Sequence, residues 1–381
     1  FFLPFLSKLI KHHKNKSKEY RKILDHFNYK YNSNSKIEDF PYIPVRIFKY
    51  FNLKSIPDNE VYRTLYSSGT TSDKVSKIIL DKKNSKDQIN ILSKLTTNII
   101  GSQRLPMLII DKPINTNTKK IYSARMVGIT GFSIFGKDLN FAFNEDMEIN
   151  FNAVNDFLYK YKNEKIIIFG FTSIIWDYFL HEFIKRKIKF DLSKSIIIHG
   201  GGWKKLADRN ISTKIFKQKI NDFLNINKII NYYGMVEQTG SIFFECEYEN
   251  LHTSIFSEIF IRKTDLSLSN LREKGLVQLM SLIPSSYPGH NLLTEDYGKI
   301  IGVDDCKCGR FGKYFKIYGR IKKSEIREIR KLIEKHGGIQ FAENQIDRLA
   351  KEAQDELNIF SDSVYKDSLL AALKFNSHRN S

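Results

Sequence analysis

The sequence predicts an α/β layer fold that gives way to a β-rich part and then to a short helical end. Three observations carry that reading. Apolar runs at 165–170, 195–199 and 228–233 alternate with helical patterns at roughly thirty-residue spacing, the rhythm of strand, loop and helix. From Ser254 the helical patterns give way to short alternating runs with turns. The chain has 381 residues, 41% hydrophobic and 13% aromatic, so it can bury a large core and is not a disordered segment. Four segments are expected: a helical or extended lead at 1–54, an α/β nucleotide-binding core at 55–253, a β-rich subdomain at 254–319, and a mostly helical segment at 320–381 after a hinge.

The elements follow in order. Residues 1–35 open with an apolar stretch and a basic, tyrosine-containing run, with a helix expected over 18–27 that packs on the main domain. Pro41 and Pro44 make an extended entry. Val61, Tyr62, Leu65 and Tyr66 read as a strand, and Ile78, Ile79 and Leu80 as the next. Ile89, Leu92 and Leu95 have helical spacing within 85–97, and the run 105–110 ends at Asp111 like a short buried strand. Residues 125–136, with Gly128, Gly131 and Gly136, read as a pocket lining or a tightly packed turn. Helices are expected over 152–161 and 172–187, the second with Ser173 as candidate cap, and another up to about Leu224. Short strands are then expected at 256–261, 275–279, 290–294 and 298–301. Beyond Gly319-Arg320, a helix stripe runs through Ile326, Ile329, Leu332 and Ile333.

The balance of charge is +19, from 61 basic and 42 acidic side chains. The excess is spread along the chain without a nucleic-acid-binding module, so it reads as general composition, with nucleic acid the minor alternative. The most apolar stretch, 166–176, is too short to span a bilayer, and no signal peptide is recognisable; a soluble, cytoplasmic protein is expected. Three cysteines fit a reducing compartment and no disulfide scaffold. Nothing in the sequence constrains oligomeric state.

The residues with chemistry lie at strand ends, where open α/β sheets bind ligands. Ser67, Ser68, Thr70, Thr71, Ser72 and Ser76, with Gly69, Lys74 and Lys77, form a hydroxyl-rich loop between two strands. Hydroxyls and backbone N–H groups surround phosphate oxygens, glycine lets the chain come close, and lysines offset charge. The alternative is a solvated turn. Gly200, Gly201 and Gly202 follow one strand, and Tyr233-Gly234-Met235-Val236-Glu237 follows the next. A glutamate there is a candidate Mg²⁺ ligand and the tyrosine a candidate stacking partner for a base; either is also an ordinary structural residue. Asp296 follows an apolar run, placed to accept from ribose hydroxyls or to sit in a β-turn.

Taken in order, the loop at 67–77, the glycines at 200–202, Tyr233 to Glu237, Asp296 and Gly319-Arg320 resemble the core motifs of the adenylate-forming superfamily. Within it the chain looks like the acyl-protein synthetase (LuxE) branch and its relatives near phenylacetate–CoA ligase. The run 281–290, Cys306-Lys307-Cys308-Gly309-Arg310 and Tyr318-Gly319-Arg320 carry that narrower likeness. It implies an acyl-CoA synthetase-like fold and ATP-dependent activation of a carboxylic acid, fatty or other, to an acyl-adenylate. Pyrophosphate leaves, and the acyl group passes to a carrier-protein thiol, coenzyme A or another nucleophile. Residues 67–77 would hold the β- and γ-phosphates, Lys74 and Lys77 offsetting their charge. Gly200 to Gly202 would lie against adenine and Tyr233 would stack on it. Glu237 would bind Mg²⁺, Asp296 the ribose, and Arg320 ribose or phosphate. Residues 128–136 and 169–176 are candidates for the acyl pocket.

The sequence departs from the superfamily in two places. Only 61 residues follow Arg320, without a Pro-x-x-x-x-Gly-Lys pattern, leaving Lys322 or Lys323 as substitutes for the usual adenylation lysine. No cysteine follows Cys308, whereas acyl-protein synthetases load a cysteine near their C-terminus, so an external acceptor is expected at least as much as one in cis. Cys246, His252, Cys306 and Cys308 match the donor set of a closed tetrahedral Zn²⁺ site; inert thiols and a nucleophilic cysteine are the other readings. A relative that binds nucleotide or acyl group without turnover is the alternative to an enzyme.

Overall fold

The computed structural model describes residues 2–27, 29, 35–67, 75–114, 121–201, 206, 209, 211–321 and 338–377. It divides into two compact units, Phe1–Arg320 and Ile321–Ser381.

The first unit opens with helices α1 (Phe2–Lys16) and α2 (Lys18–His26). Pro4 falls in the first turn of α1, where a missing N–H costs nothing, so the apolar opening is helical rather than a bare lead. Leu6, Ile10, Tyr20 and Leu24 are buried against Phe260, Met280 and Leu292 of the β-rich part. Strand β1 (Ile43–Pro44) then pairs in parallel with Leu292 and Leu293.

A three-stranded sheet comes next. Strand β2 (Arg63–Tyr66) runs antiparallel to β3 (Lys77–Leu80), with Tyr66 opposite Lys77, so the hydroxyl-rich loop leaves and returns at one point. Helix α3 (Lys82–Ile100) follows, Asp81 capping it by accepting from the Asn84 N–H. It is longer at both ends than the apolar spacing predicts.

The central sheet takes strands β4 (Leu105–Ile110), β6 (Gly136–Phe141), β7 (Ile167–Phe171), β8 (Ile196–Gly200), β9 (Lys228–Tyr233) and β10 (Phe243–Phe244). The intervening β5 (Ile121–Ser123) pairs with β2. The order is β10-β9-β8-β7-β4-β6, parallel except for β10. Ile167, Ile168, Phe169, Ile196, Ile197 and Ile198 are buried, as strands covered on both faces require. Helices α4 (Ala124–Ser133), α5 (Phe151–Lys160), α6 (residues 172–186) and α7 (Thr213–Leu224) cover the faces. The segment read as pocket lining or turn is thus a helix, α4, capped by Ser123 accepting from Met126 N–H. Helix α6 is not capped by Ser173: it starts at Thr172 without a side-chain cap and runs π-helical over Ile175–Leu180.

The second sheet, in order β11-β15-β14-β13-β12, is antiparallel apart from β1, which joins it in parallel beside β14: β11 (Leu251–His252), β12 (Ser257–Arg262), β13 (Gly275–Ser281), β14 (Asn291–Val303) and β15 (Lys313–Arg320). The two runs expected at 290–294 and 298–301 are one strand, β14, whose pairing with β15 shifts register at Tyr297/Gly298 and Ile300/Gly302. These bulges break the alternation along the sequence while the ladder continues.

The second unit shows helices α8 (Gly338–Asn358) and α9 (Val364–Ser377), with the tail helical as expected. The helix stripe at 326–333, and Lys322 and Lys323, lie outside the described residues.

Candidate active site

Pairing brings the strand ends together. Strand β9 ends at Tyr233, β8 at Gly200, and β10 holds Phe243 opposite Tyr233. On the second sheet, Asp296 of β14 faces Arg320 of β15 in the ladder. Across the junction between the two sheets the Tyr233 hydroxyl donates to Asp296 Oδ2 at 2.7 Å. Burial drives the Tyr233 hydroxyl well above its ordinary pKa, and the Asp296 charge adds to it. Burial also raises the Asp296 carboxyl, against the Tyr233 bond and the Arg320 charge. Asp296 is therefore a carboxylate that gains from cationic or hydroxyl partners.

Glu237 lies in the short turn Val236–Gln238, 7% exposed. Burial raises its carboxyl, while the neighbouring Ser76 hydroxyl, its own backbone, Arg320 and Lys49 pull it down. The turn is built from below: Gln238 Nε2 donates to Leu279 O at 3.0 Å and to Gly289 O at 2.8 Å, and Ser241 Oγ to Ser281 Oγ. Ser76 belongs to the base of the hydroxyl-rich loop, where Ser67 Oγ accepts from Ser76 N–H at 2.9 Å and Ser67 N–H donates to Ser76 O. So Ser67, Ser76, Glu237, Asp296, Arg320 and Tyr233 converge on one edge. Ser68, Gly69, Thr70, Thr71, Ser72, Lys74 and Gly202 lie outside the described residues. Gly234 closes the strand end, exposed beside Tyr233.

Gly200 and Gly201 sit beside a wall of rings. A Cβ on Gly200 would fall 2.7 Å from Tyr232 O, and Gly201 adopts φ +69°, a conformation L side chains resist. Gly128 on α4 faces the same rings, its Cβ position 3.1 Å from Phe171 Cζ and 3.5 Å from the Tyr232 hydroxyl. Behind them Phe132 stacks on Phe169 at 4.6 Å and lies 5.1 Å from Tyr232, both Phe132 and Phe169 being buried.

Three features escape the sequence. Arg125 makes a two-pronged pair with buried Asp111 at 2.5 Å at the same sheet edge. Thr172 Oγ1 and His199 Nδ1 meet at 2.9 Å, fully buried, and burial lowers the imidazole to about 3, so it is neutral. His13 stacks at 4.9 Å on His290, the last residue of the 281–290 segment. Asp111 and His199 each end or nearly end an apolar run, the one signal that was available.

The cysteines gather. Cys246, His252, Cys306 and Cys308 place one donor atom each within 4.8 Å of the others. Cys308 Sγ is 3.4 Å from His252 Nε2 and from Cys306 Sγ, and Cys246 Sγ is 3.9 Å from Cys306 Sγ. Cys246 follows β10, His252 lies on β11, and the Cys306–Cys308 turn joins β14 to β15. Gly309, at φ +77°, donates its N–H to Cys306 O and lets that turn close. Burial lowers the His252 imidazole to about 4 and raises the Cys246 thiol to about 11. At Cys306 burial also pushes upward, but hydrogen bonds from Cys308, Cys246 and Asn250 carry the thiol below its ordinary value. Three soft sulfurs and a neutral imidazole at these distances are the donor set of a tetrahedral metal site.

Known proteins resemble this chain in sequence and in fold. The family model described as acyl-protein synthetase, LuxE, matches residues 2–336. Two long-chain-fatty-acid–luciferin-component ligases are similar. That of Aliivibrio fischeri is 24% identical over 295 residues, 75% of this chain and 75% of the relative. That of Vibrio harveyi is 24% identical over 276 residues, 69% of each. Among solved structures, 2-hydroxyisobutyryl-CoA ligase in an open conformation, with 2-HIB-AMP and CoA, superposes with TM-score 0.64 at 14% identity, over 84% of this chain and 74% of that one. The same ligase in the postadenylation state gives 0.63. At that identity the likeness shows a shared fold.

Proposed function

The chain belongs to the acyl-protein synthetase (LuxE) family, and on that premise we propose how its own residues carry the reaction. It has the adenylate-forming fold and is an ATP-dependent ligase: a carboxylic acid is activated to an acyl-adenylate and the acyl group then passes to a nucleophile. The observation that supports our residue assignment is the closure of Tyr233 on Asp296 beside Glu237 and the base of the hydroxyl-rich loop.

Carboxylate and α-phosphate are both negative, so the step rests on positioning and charge compensation. Glu237 would hold Mg²⁺, its burial being a standing cost that a cation removes. Asp296 would accept from the ribose hydroxyls, exchanging its Tyr233 partner for them or sharing it. Arg320, opposite it, would contact ribose or phosphate. Ser67 and Lys77 frame the phosphate loop, with Ser68, Gly69, Thr70, Thr71 and Lys74 between them. Gly200, Gly201 and Gly202 would present backbone to adenine and Tyr233 its ring, with Gly234 leaving the edge open. Cys246, His252, Cys306 and Cys308 would hold a structural Zn²⁺, a closed site with no donor position left for chemistry. No helix among the described residues is long and apolar enough to cross a membrane, and the free thiols and use of ATP support the cytoplasm.

The test is ATP–pyrophosphate exchange against a panel of carboxylic acids with Mg²⁺. Acid-dependent exchange is expected from the wild type, reduced about 100-fold or more in Glu237→Ala. Asp296→Asn is expected to raise the KM for ATP about tenfold, the weight of a charge-assisted hydrogen bond. Exchange unaffected by either substitution would move the nucleotide elsewhere.

A further inference from the structure

We propose that Asn84 is a positioning residue for adenylation: buried in the first turn of α3, it locks residues 283–286 into the shape that seats the Glu237 turn against the base of the hydroxyl-rich loop. This role rests on Glu237 being the Mg²⁺ ligand.

Residues 283–286 lie outside the ladders, between β13 and β14, so their backbone groups need partners from elsewhere. Asn84, 0% exposed, meets them with both ends of its amide. Its Nδ2 donates to Ile283 O at 2.8 Å, and its Oδ1 accepts from the N–H groups of Ser285 at 3.1 Å and Ser286 at 3.3 Å. The Ser286 hydroxyl lies 2.9 Å from Asn84 Oδ1 and 2.9 Å from Ile79 O, which fastens the same stretch to β3. Other elements meet the remaining carbonyls. Pro284 O lies 3.1 Å from His13 Nε2, Ser285 O lies 2.9 Å from His12 Nε2, and Ser286 O accepts from Ser55 N–H at 2.7 Å. Satisfied on every side, such a network fixes one backbone geometry.

That geometry reaches Glu237. After Ser286 the chain passes through Tyr287, fully buried with its ring 6.0 Å from that of Phe48, to Gly289. A Cβ on Gly289 would fall 2.7 Å from Glu237 O, so the segment lies directly against the backbone that carries the carboxylate. Gly289 O also accepts from Gln238 Nε2 at 2.8 Å. Burial raises the Tyr287 hydroxyl, and the neighbouring Glu237 charge adds to it. From the other side, β3 leads back through Lys77 to Ser76, whose hydroxyl neighbours Glu237. Asn84 thus joins the two strips of chain between which Glu237 sits. Misplacing a group at a reacting centre by about 1 Å costs about 100-fold in rate.

The experiment is ATP–pyrophosphate exchange by the full chain as a function of Mg²⁺ concentration, well below the melting midpoint of each variant. Asn84→Ala is expected to lower the maximal rate about tenfold or more and to raise the Mg²⁺ concentration for half-saturation about tenfold, leaving the KM for the acid nearly unchanged. Ser286→Ala should shift both quantities the same way by less, and it decides the matter if Asn84→Ala does not fold. Leu224→Ala, which opens a cavity under α7, is expected to melt lower yet keep the wild-type Mg²⁺ dependence, a result that separates positioning from mere loss of stability. Asn84→Ala and Ser286→Ala with wild-type Mg²⁺ dependence, beside a Glu237→Ala that has lost exchange, would overturn the proposal and leave the Mg²⁺ reading intact. Wild-type exchange by Glu237→Ala would remove the premise and the proposal together.

Discussion

Glu237 shows how one residue at this edge trades stability for function. Its carboxyl titrates above the ordinary glutamate range because burial disfavours its charge. A raised folded-state value means that the native chain holds the proton more tightly than the unfolded one. The cost is therefore absent below the ordinary glutamate value, grows as pH rises from that value to the raised one, and is complete above it. Glu237→Gln keeps the shape and removes the charge. In thermal melts at neutral pH without nucleotide it is expected to be more stable than wild type by about 1 kcal/mol, with the gain vanishing in acid. The same variant loses the Mg²⁺ ligand and with it exchange activity. A variant less stable than wild type at neutral pH would show that the carboxylate is already compensated in the free protein. Asp296 follows the same logic: burial raises its carboxyl, and the Tyr233 hydroxyl and the Arg320 charge oppose that.

The cysteine cluster belongs to the scale of elements, because no two strands hold it alone. Its donors come from the end of β10, from β11 and from the turn between β14 and β15, so a bound ion would tie the edge of the central sheet to the second sheet. Protein purified without chelator is expected to carry about one zinc per chain by elemental analysis, and Cys308→Ser to carry none and to melt several degrees lower. A metal-free wild type with the same melting temperature as Cys308→Ser would leave the four donors as packed thiols and imidazole. The sequence supplied the donor types but not their meeting, since more than fifty residues separate Cys246 from Cys306 and only the strand order joins them. Other elements were legible for local reasons: the isoleucine runs of β7 and β8 have no alternative to a buried strand. Helix α4 was not, because Gly128 and Gly131 are poor helix formers whose place is set by side chains from elsewhere in the chain, Phe171 and Tyr232 against Gly128 and Leu92 against Gly131. In the sequence strand β14 looks like two pieces because its bulges reset the alternation, and the π-helical stretch of α6 leaves no mark on residue spacing.

At the scale of the whole molecule, the question is where the acyl group goes. The sequence holds three cysteines, and all three lie in the one cluster, Cys246 and Cys306 buried and Cys308 half-buried against His252. A thiol that carries an acyl group has to reach the adenylate as a free nucleophile and then move away from it. Members of a cluster spanning two sheets do neither, and binding a metal would withdraw their lone pairs as well. We propose that none of these three thiols takes the acyl group and that another thiol or nucleophile does. Incubation of the protein with ATP, Mg²⁺ and an acid that supports exchange is expected to leave its intact mass unchanged in mass spectrometry. The bound adenylate would appear only after denaturation, as free acyl-AMP. Adding a small thiol should then accelerate release of AMP, whereas a hydroxylamine-labile acyl adduct on Cys246, Cys306 or Cys308 would place the acceptor within the chain and refute the closed-cluster reading.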